Sequence, residues 1–352
     1  MEYKKGNTIH GYELLTNFST KGGGQCEWVF ARKNGSEYFI KRFLNPKYME
    51  STSTCLGETV AISAKDIEKN RIECNLFENK HNKIIGLLRE YSGGGNLVTA
   101  VDFFRQETKY YKVTPKVNVA SDSVEQISHL PLEKRILFLK TLSHSLGLLH
   151  NINLVHGDLK PDNVIVKKTS TGNLVAALID FDDSCFSGEP SFNREEVVGD
   201  QNYYSPELGR YISEDEKIFP KDITCKSDIF ALGIMFCQYL TGKLPMYKHE
   251  IGEPYIAALN KEILNIDPGD LPRWLQNLVN VMLRVEPKHR PGIDKILDCL
   301  KNSKELIGME TDDVIPISSG GLKGTLMSKK DTALSSEPVS HSTLKGTGLR
   351  KS

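Results

Sequence analysis

The sequence predicts an α+β protein with a small β-rich front lobe and a larger helical rear lobe. Three observations carry that prediction. β-branched and aromatic runs crowd the first third of the chain and meet at turn residues such as Asn34-Gly35. After Val117 apolar residues recur instead at helical spacing, as from Leu132 to Asn151. Strands first and helices later favour segregated layers over an alternating parallel sheet.

Each element can be justified in order. Gly22, Gly23 and Gly24 form a flexible opening, and "CEWVFARK" and "SEYFIKRF" follow as the two strands of a hairpin. The polar stretch Asn45 to Asn70 has little period and reads as a loop or insertion. Ile72, Leu76, Ile84, Ile85 and Leu88 then set an amphipathic helix over Lys69 to Arg89. A turn at Gly93 to Gly95 leads to two more strands, "LVTAVDFF" and "KYYKVTPKV". In the rear lobe Ile136, Leu139, Leu142, Leu146 and Leu149 mark the helix ending near Asn151. "VIV" and "VAALIDF" are short β runs, and helical patterns continue to about Leu306. These spans give a domain over 10–306, with lobes of 10–117 and 118–306. The tail, 307–352, is rich in Ser, Thr, Gly and Lys without apolar period, so disorder is expected.

Composition narrows the function. Lys+Arg and Asp+Glu are equal at 45 each, which argues against bulk binding to nucleic acid or an anionic membrane. The start of the chain has no apolar segment of signal-peptide length, and "IFALGIMFCQYL" (Ile229 to Leu240) is too short to span a bilayer. It reads as a buried core helix. The seven cysteines are scattered, without a C-x-x-C pair, as expected for reduced cytoplasmic thiols. Cys185 reads as inert and Trp274 as core packing.

The polar run "VHGDLKPDN" (Val155 to Asn163) carries chemistry. Phosphoryl transfer needs a phosphate cradle, a lysine, metal ligands and a carboxylate near the acceptor hydroxyl. Gly22, Gly23 and Gly24 can form the cradle, because glycine lets backbone N–H groups approach phosphate oxygens. Two registers of G-x-G-x-x-G-x-V fit, one ending on Val29 and the other placing Trp28 over the base. In both the third glycine is replaced, by Glu27 or Cys26. Lys41 in "FIKRF" is the lysine. Asn163 and Asp180, the latter after the buried run "AALI", supply hard oxygen ligands suited to magnesium, with manganese as a substitute. Asp158 is the carboxylate for the acceptor, and Lys160 the cation for the moving phosphate.

Together these residues resemble the eukaryotic-type protein kinase family, in particular bacterial eukaryotic-like kinases, from about Gly11 to Leu300. "HGDLKPDN" is similar to the catalytic loop H-R-D-L-K-P-x-N, and "DFD" stands where D-F-G is usual. "YYSPEL" resembles the end of an activation segment, with Glu207 pairing to Arg290 of "RVEPKHRP". Asp228 of "SDIFALG" would bind the catalytic-loop backbone. Thr114, Pro115 and Val117 would form the hinge for adenine, with Thr114 as gatekeeper. Pro115 keeps the carbonyl that adenine needs, and Val117 supplies the N–H. The family pairs the lysine with a glutamate of the following helix, and both Glu78 and Glu73 qualify by position.

The resemblance implies a bilobal fold, ATP and a divalent metal, and transfer to serine or threonine of protein substrates, autophosphorylation included. The sequence departs from the family at three places. Gly157 replaces an arginine that contacts phosphorylated activation loops, so activity independent of such phosphorylation is expected. Asp182 replaces the glycine after Phe181, and the third loop glycine is missing. These leave two alternatives. A small-molecule phosphotransferase of the aminoglycoside or choline kinase type commonly writes H-G-D, and a pseudokinase scaffold would not turn over. The tail repeats "LKGT" at Thr325 and Thr347, which suggests autophosphorylation read by a phosphothreonine-binding partner.

Overall fold

The computed structural model describes residues 3–21, 26–50, 52–55, 58–61, 63–91, 94–117, 123–190, 194, 199–248 and 252–303. The expectations for Gly22, Gly23, Gly24 and the tail with Thr325 and Thr347 lie outside the described residues.

Six strands make one antiparallel sheet. They are β1 (Thr8–Ile9), β2 (Tyr12–Leu14), β3 (Cys26–Lys33), β4 (Ser36–Phe43), β7 (Asp102–Gln106) and β8 (Lys109–Pro115), in the order β1-β2-β3-β4-β8-β7. The β3–β4 hairpin turns at Asn34 and Gly35, with φ of 50° and 78°. That pair of positive values is the type I′ turn that Asn-Gly favours. Alternation along the strands separates two faces. Val29, Ala31, Ile40 and Val113 pack on Ile9 and Leu14 on one side. Trp28, Phe39, Lys41, Lys112 and Thr114 share the other, because Trp28 lies opposite Lys41, Lys41 opposite Lys112, and Phe39 opposite Thr114.

Helix α1 (Ala64–Tyr91) covers part of this second face, where Cys26, Phe43, Cys74 and Tyr110 form a small core. It begins five residues earlier than the sequence suggested, because Ser63 caps it by accepting from the Asp66 N–H at 3.1 Å. Its inward stripe is Asn70, Cys74, His81, Ile84, Ile85 and Leu88. Ile72 and Leu76, expected on that face, are 53% and 66% exposed. The stripe keeps helical spacing but is written with polar residues in its first half, so apolar periodicity selected the wrong face there. The span read as a loop also holds a short hairpin, β5 (Thr52–Cys55) with β6 (Glu58–Ala61).

Leu97 and Val98 do not extend β7 as expected. They cross to the rear lobe, where Val98 N donates to Leu178 O and Leu178 N to Asn96 O, each at 2.9 Å. The rear lobe comprises α2 (Val124–Ser128), α3 (Leu132–His150), α4 (Pro206–Ile212), α5 (Cys225–Thr241), α6 (Pro254–Leu259), α7 (Arg273–Met282) and α8 (Ile293–Asn302). Two small ribbons lie on it: β9 (Leu154–Val155) with β12 (Cys185–Phe186), and β10 (Val164–Lys168) with β11 (Leu174–Leu178). Helix α5 is the core helix the sequence predicted. Thr224 caps its start, Gly242 at φ 75° ends it, and residues from Ile229 to Cys237 are buried all round. Each Leu, Ile or Phe buried there contributes about 1.5–3 kcal/mol. This rigid helix presents Asp228, in its first turn, to the catalytic loop.

Candidate active site

The loop after β9 is fixed from below. Asp228 is 3% exposed, and its carboxylate accepts from His156 N at 2.8 Å and Gly157 N at 3.2 Å. His150 Nε2 lies 3.0 Å from the same carboxylate. Gly157 has φ 84°, and a Cβ there would stand 2.5 Å from the Asp183 carbonyl oxygen. The glycine is therefore demanded by the path of the backbone.

These anchors set out the catalytic loop. Asn163 Nδ2 donates to the Asp158 backbone oxygen at 2.7 Å and to its carboxylate at 2.9 Å. Lys160 Nζ lies 2.7 Å from the same carboxylate oxygen. Asn163 and Lys160 thus converge on the carboxylate of Asp158. Gly199 also closes on it: a Cβ there would meet Tyr204 at 2.8 Å and Asp158 Oδ1 at 3.1 Å. Sequence reasoning did not single out Gly199, since its demand comes from Tyr204 and Asp158 meeting it in space.

Lys41 reaches across from the front sheet. Its Nζ lies 2.5 Å from Asp180 and 3.0 Å from Asp182. Asp182 also takes an ion pair from Lys112, the residue opposite Lys41 on β8, and lies 3.8 Å from His81 Nε2 of α1. Burial alone would raise the Asp182 pKa. Lys112 and Lys41 overcome that and hold its carboxyl well below the usual carboxylate range. Burial disfavours the charge on Lys41, and Asp182 and Asp180 together raise its pKa instead. Asp183, flanked by Asp182, Asp158 and Asp180, is pushed up to about 7, first by burial and then by these carboxylates.

The helix glutamate is placed differently from the expectation. Glu78 accepts from the Tyr110 hydroxyl at 2.7 Å and lies 3.9 Å from Arg105 Nε. Glu73 is exposed on the outer side of α1. The inward turn of α1 beside Asp182 carries His81 instead. Spacing along a helix could not separate residues 73, 78 and 81, because the sheet position decides which one faces the lysine. Lys112 was also missed. Its signal is a lysine in a strand run between buried neighbours.

The adenine end is partly described. Thr114 and Pro115 close β8 opposite Phe39 and Tyr38, and Val117 ends the described hinge. Lys116 N donates to Glu37 O at 3.0 Å. Val29 is wholly buried on the far face, whereas Trp28 shares the Lys41 face and stacks on Phe39. This geometry favours the glycine-loop register that sets Trp28 over the base. Glu27, a replacement for the third glycine, is held by Arg42 at 2.7 Å.

The site fits a divalent metal. Asp180 Oδ1 is buried and accepts no hydrogen bond, with Lys112 Nζ 3.8 Å away, on a residue held at φ 63°. A buried carboxylate oxygen left in that state suits a cation. Among the described residues no group of three His, Cys, Asp or Glu could hold a metal. Asp180 and Asn163 would accordingly share it with phosphate oxygens, as magnesium often is shared.

The peptide-side framework is also present. Glu207 and Arg290 form a two-pronged buried pair at 2.7 and 2.8 Å, and the Ser205 and Ser227 hydroxyls meet at 2.7 Å. Cys185 is buried, and burial pushes its thiol up to about 12, in keeping with an inert role. Trp274 packs against the rear core, as expected.

Comparison with known proteins agrees with this geometry. A model of the protein kinase domain matches residues 51–299. Its match begins after Lys41 and the glycine loop. A probable myosin light chain kinase of Dictyostelium discoideum is 26% identical over 207 residues, 58% of this chain and 64% of that protein. Serine/threonine-protein kinase PknA of Corynebacterium glutamicum is 25% identical over 171 residues, 48% of this chain and 34% of that protein. The bovine phosphorylase b kinase gamma catalytic chain, liver/testis isoform, is 22% identical over 288 residues, 77% of this chain and 68% of that protein. The chain thus spans between 34% and 68% of the length of these relatives. In structure, the kinase PK-1 of the Cydia pomonella granulovirus superposes with a TM-score of 0.55 at 18% identity, covering 82% of this chain and 93% of that one. At that identity the likeness speaks for the fold.

Proposed function

The chain belongs to the protein kinase family, and from that premise we propose that it transfers the γ-phosphate of ATP to serine or threonine hydroxyls of proteins. The observation that carries the proposal is the single carboxylate of Asp158, held by Asn163 and Lys160 on a loop pinned by Asp228. Lys160, two residues after Asp158, favours serine or threonine over tyrosine by resemblance.

Each residue has a role in that reaction. Thr114, Pro115 and Val117 line the adenine, with Gly22, Gly23 and Gly24 over the phosphates. Lys41 binds the α- and β-phosphates. Asp158 orients the acceptor hydroxyl and takes its proton as the oxygen–phosphorus bond forms and the bond to the β-phosphate oxygen breaks. Lys160 balances charge on the moving phosphoryl group. Asn163 and Asp180 would hold magnesium, or manganese in its place, and such a metal neutralises charge on phosphate oxygens.

The Glu207–Arg290 pair and the segment leading to it support a peptide acceptor over a small molecule. Gly157 carries no weight for the small-molecule alternative, because φ 84° and the Asp183 carbonyl account for it. Control without activation-loop phosphorylation remains our reading. Ser184 donates to His156 O, Tyr203 to Gln238 and Tyr204 to Gly199 O, so these hydroxyls serve packing. The test therefore falls on Ser187 and Ser191, whose joint replacement by Ala should leave activity intact. Among the described residues no helix is long and apolar enough to cross a membrane. A cytoplasmic setting, protein substrates without nucleic acid, and a partner reading phosphorylated Thr325 or Thr347 complete the proposal. Labelled ATP with magnesium tests it: transfer to the chain or to a generic protein by wild type, and none by Asp158→Ala. No transfer by wild type would refute it.

A further inference from the structure

Lys41 needs a carboxylate that holds it toward the phosphates, because a flexible four-carbon ammonium otherwise samples many positions. Two carboxylates touch it, at 2.5 and 3.0 Å. Asp180 is the metal ligand and becomes engaged elsewhere when nucleotide binds. Asp182 has no such competing duty. It sits where a glycine is usual, and it meets Lys41, Lys112 and His81 at once. Glu78 on α1 is held by Tyr110 and Arg105.

We propose that Asp182 is the positioning carboxylate of Lys41, in place of a glutamate on α1, and that Lys112 balances the charge Asp182 brings. The inference rests on the kinase reading for the role of Lys41. Three features then form one set. The carboxylate stands on the residue after Phe181, His81 faces it from α1, and a second lysine, Lys112, stands opposite Lys41. Side chains 16%, 15% and 8% exposed at Lys41, Asp182 and Lys112 make any one change alone costly, since it would leave a buried charge unpaired.

The test reads nucleotide affinity without turnover. Binding of ADP with magnesium is measured by calorimetry for the full chain. Asp182→Asn should weaken it about tenfold, while Glu78→Ala changes it less than about twofold. In a Lys41→Met background Asp182→Asn should cause no further loss, which a merely structural role would not produce. If Asp182→Asn folds poorly, Lys112→Met/Asp182→Asn removes the charge imbalance and should show the same loss. Equal affinity for Asp182→Asn and wild type, or additivity with Lys41→Met, would overturn the proposal. Absence of phosphate transfer by wild type would overturn the kinase reading alone, because ADP binding needs no transfer.

Discussion

The two walls of the cleft obey their sequence to different degrees. On the rear wall Asp228 binds the loop backbone, Glu207 pairs with Arg290, and Asn163 and Lys160 meet the Asp158 carboxylate. On the front wall Lys41 arrives as expected, but its surroundings are rearranged: Asp182 and Lys112 stand beside it and Glu78 faces Tyr110. The difference follows from what holds each side chain. Rear-wall residues are tied largely to backbone groups, as when Asp228 binds the successive N–H groups of His156 and Gly157. A change there would orphan buried donors. Front-wall charges meet across separate strands and a helix, so one carboxylate can be exchanged for another if the total charge stays balanced.

The rear wall should be the easier to break. Asp158→Asn should lower phosphate transfer by about 10²–10⁴-fold without a shift in thermal midpoint, read by labelled-ATP assay and calorimetry. Arg290→Ala should cost about 3–5 kcal/mol of stability, because it leaves Glu207 buried and unpaired. Urea midpoints would show it, and adding Glu207→Ala should cost less than the sum of the two single changes. Gly157→Ala should destabilise by about 1–3 kcal/mol, from positive φ and the clash with the Asp183 carbonyl.

The acidic cluster offers a pH test of the boundary between the walls. Asp183 titrates near 7 when folded, above its unfolded value, so its protonated form favours the fold at low pH. That contribution fades as pH rises through about 7 in metal-free buffer. Asp182 has the opposite sense: its depressed pKa favours the fold above the ordinary carboxylate range and is lost in acid. Thermal midpoints of Asp183→Asn minus wild type should therefore grow between pH 5 and pH 8 in EDTA. A flat difference would mean that neither burial nor the neighbouring carboxylates raise the Asp183 pKa. The smallest effect is expected at Leu76→Ser on the outer face of α1, within about 0.5 kcal/mol.

What sequence could convey follows the same division. The β3–β4 hairpin was legible because Asn34-Gly35 fixes its turn, and α3 and α5 because their apolar periods match their burial. The register of α1 was not, since its inward residues Asn70, Cys74 and His81 do not look like a core stripe. The catalytic loop was legible because its residues act at fixed local spacing. The partner of Lys41 was not, because it depends on which of several carboxylates a helix, a strand and a loop bring within reach in space.

The most direct check is a crystal structure of the chain with magnesium and a non-hydrolysable ATP analogue. The account predicts Lys41 Nζ on the phosphates and still within hydrogen-bond reach of Asp182, with Glu78 on Tyr110. Glu78 on Lys41, with Asp182 turned away, would contradict it.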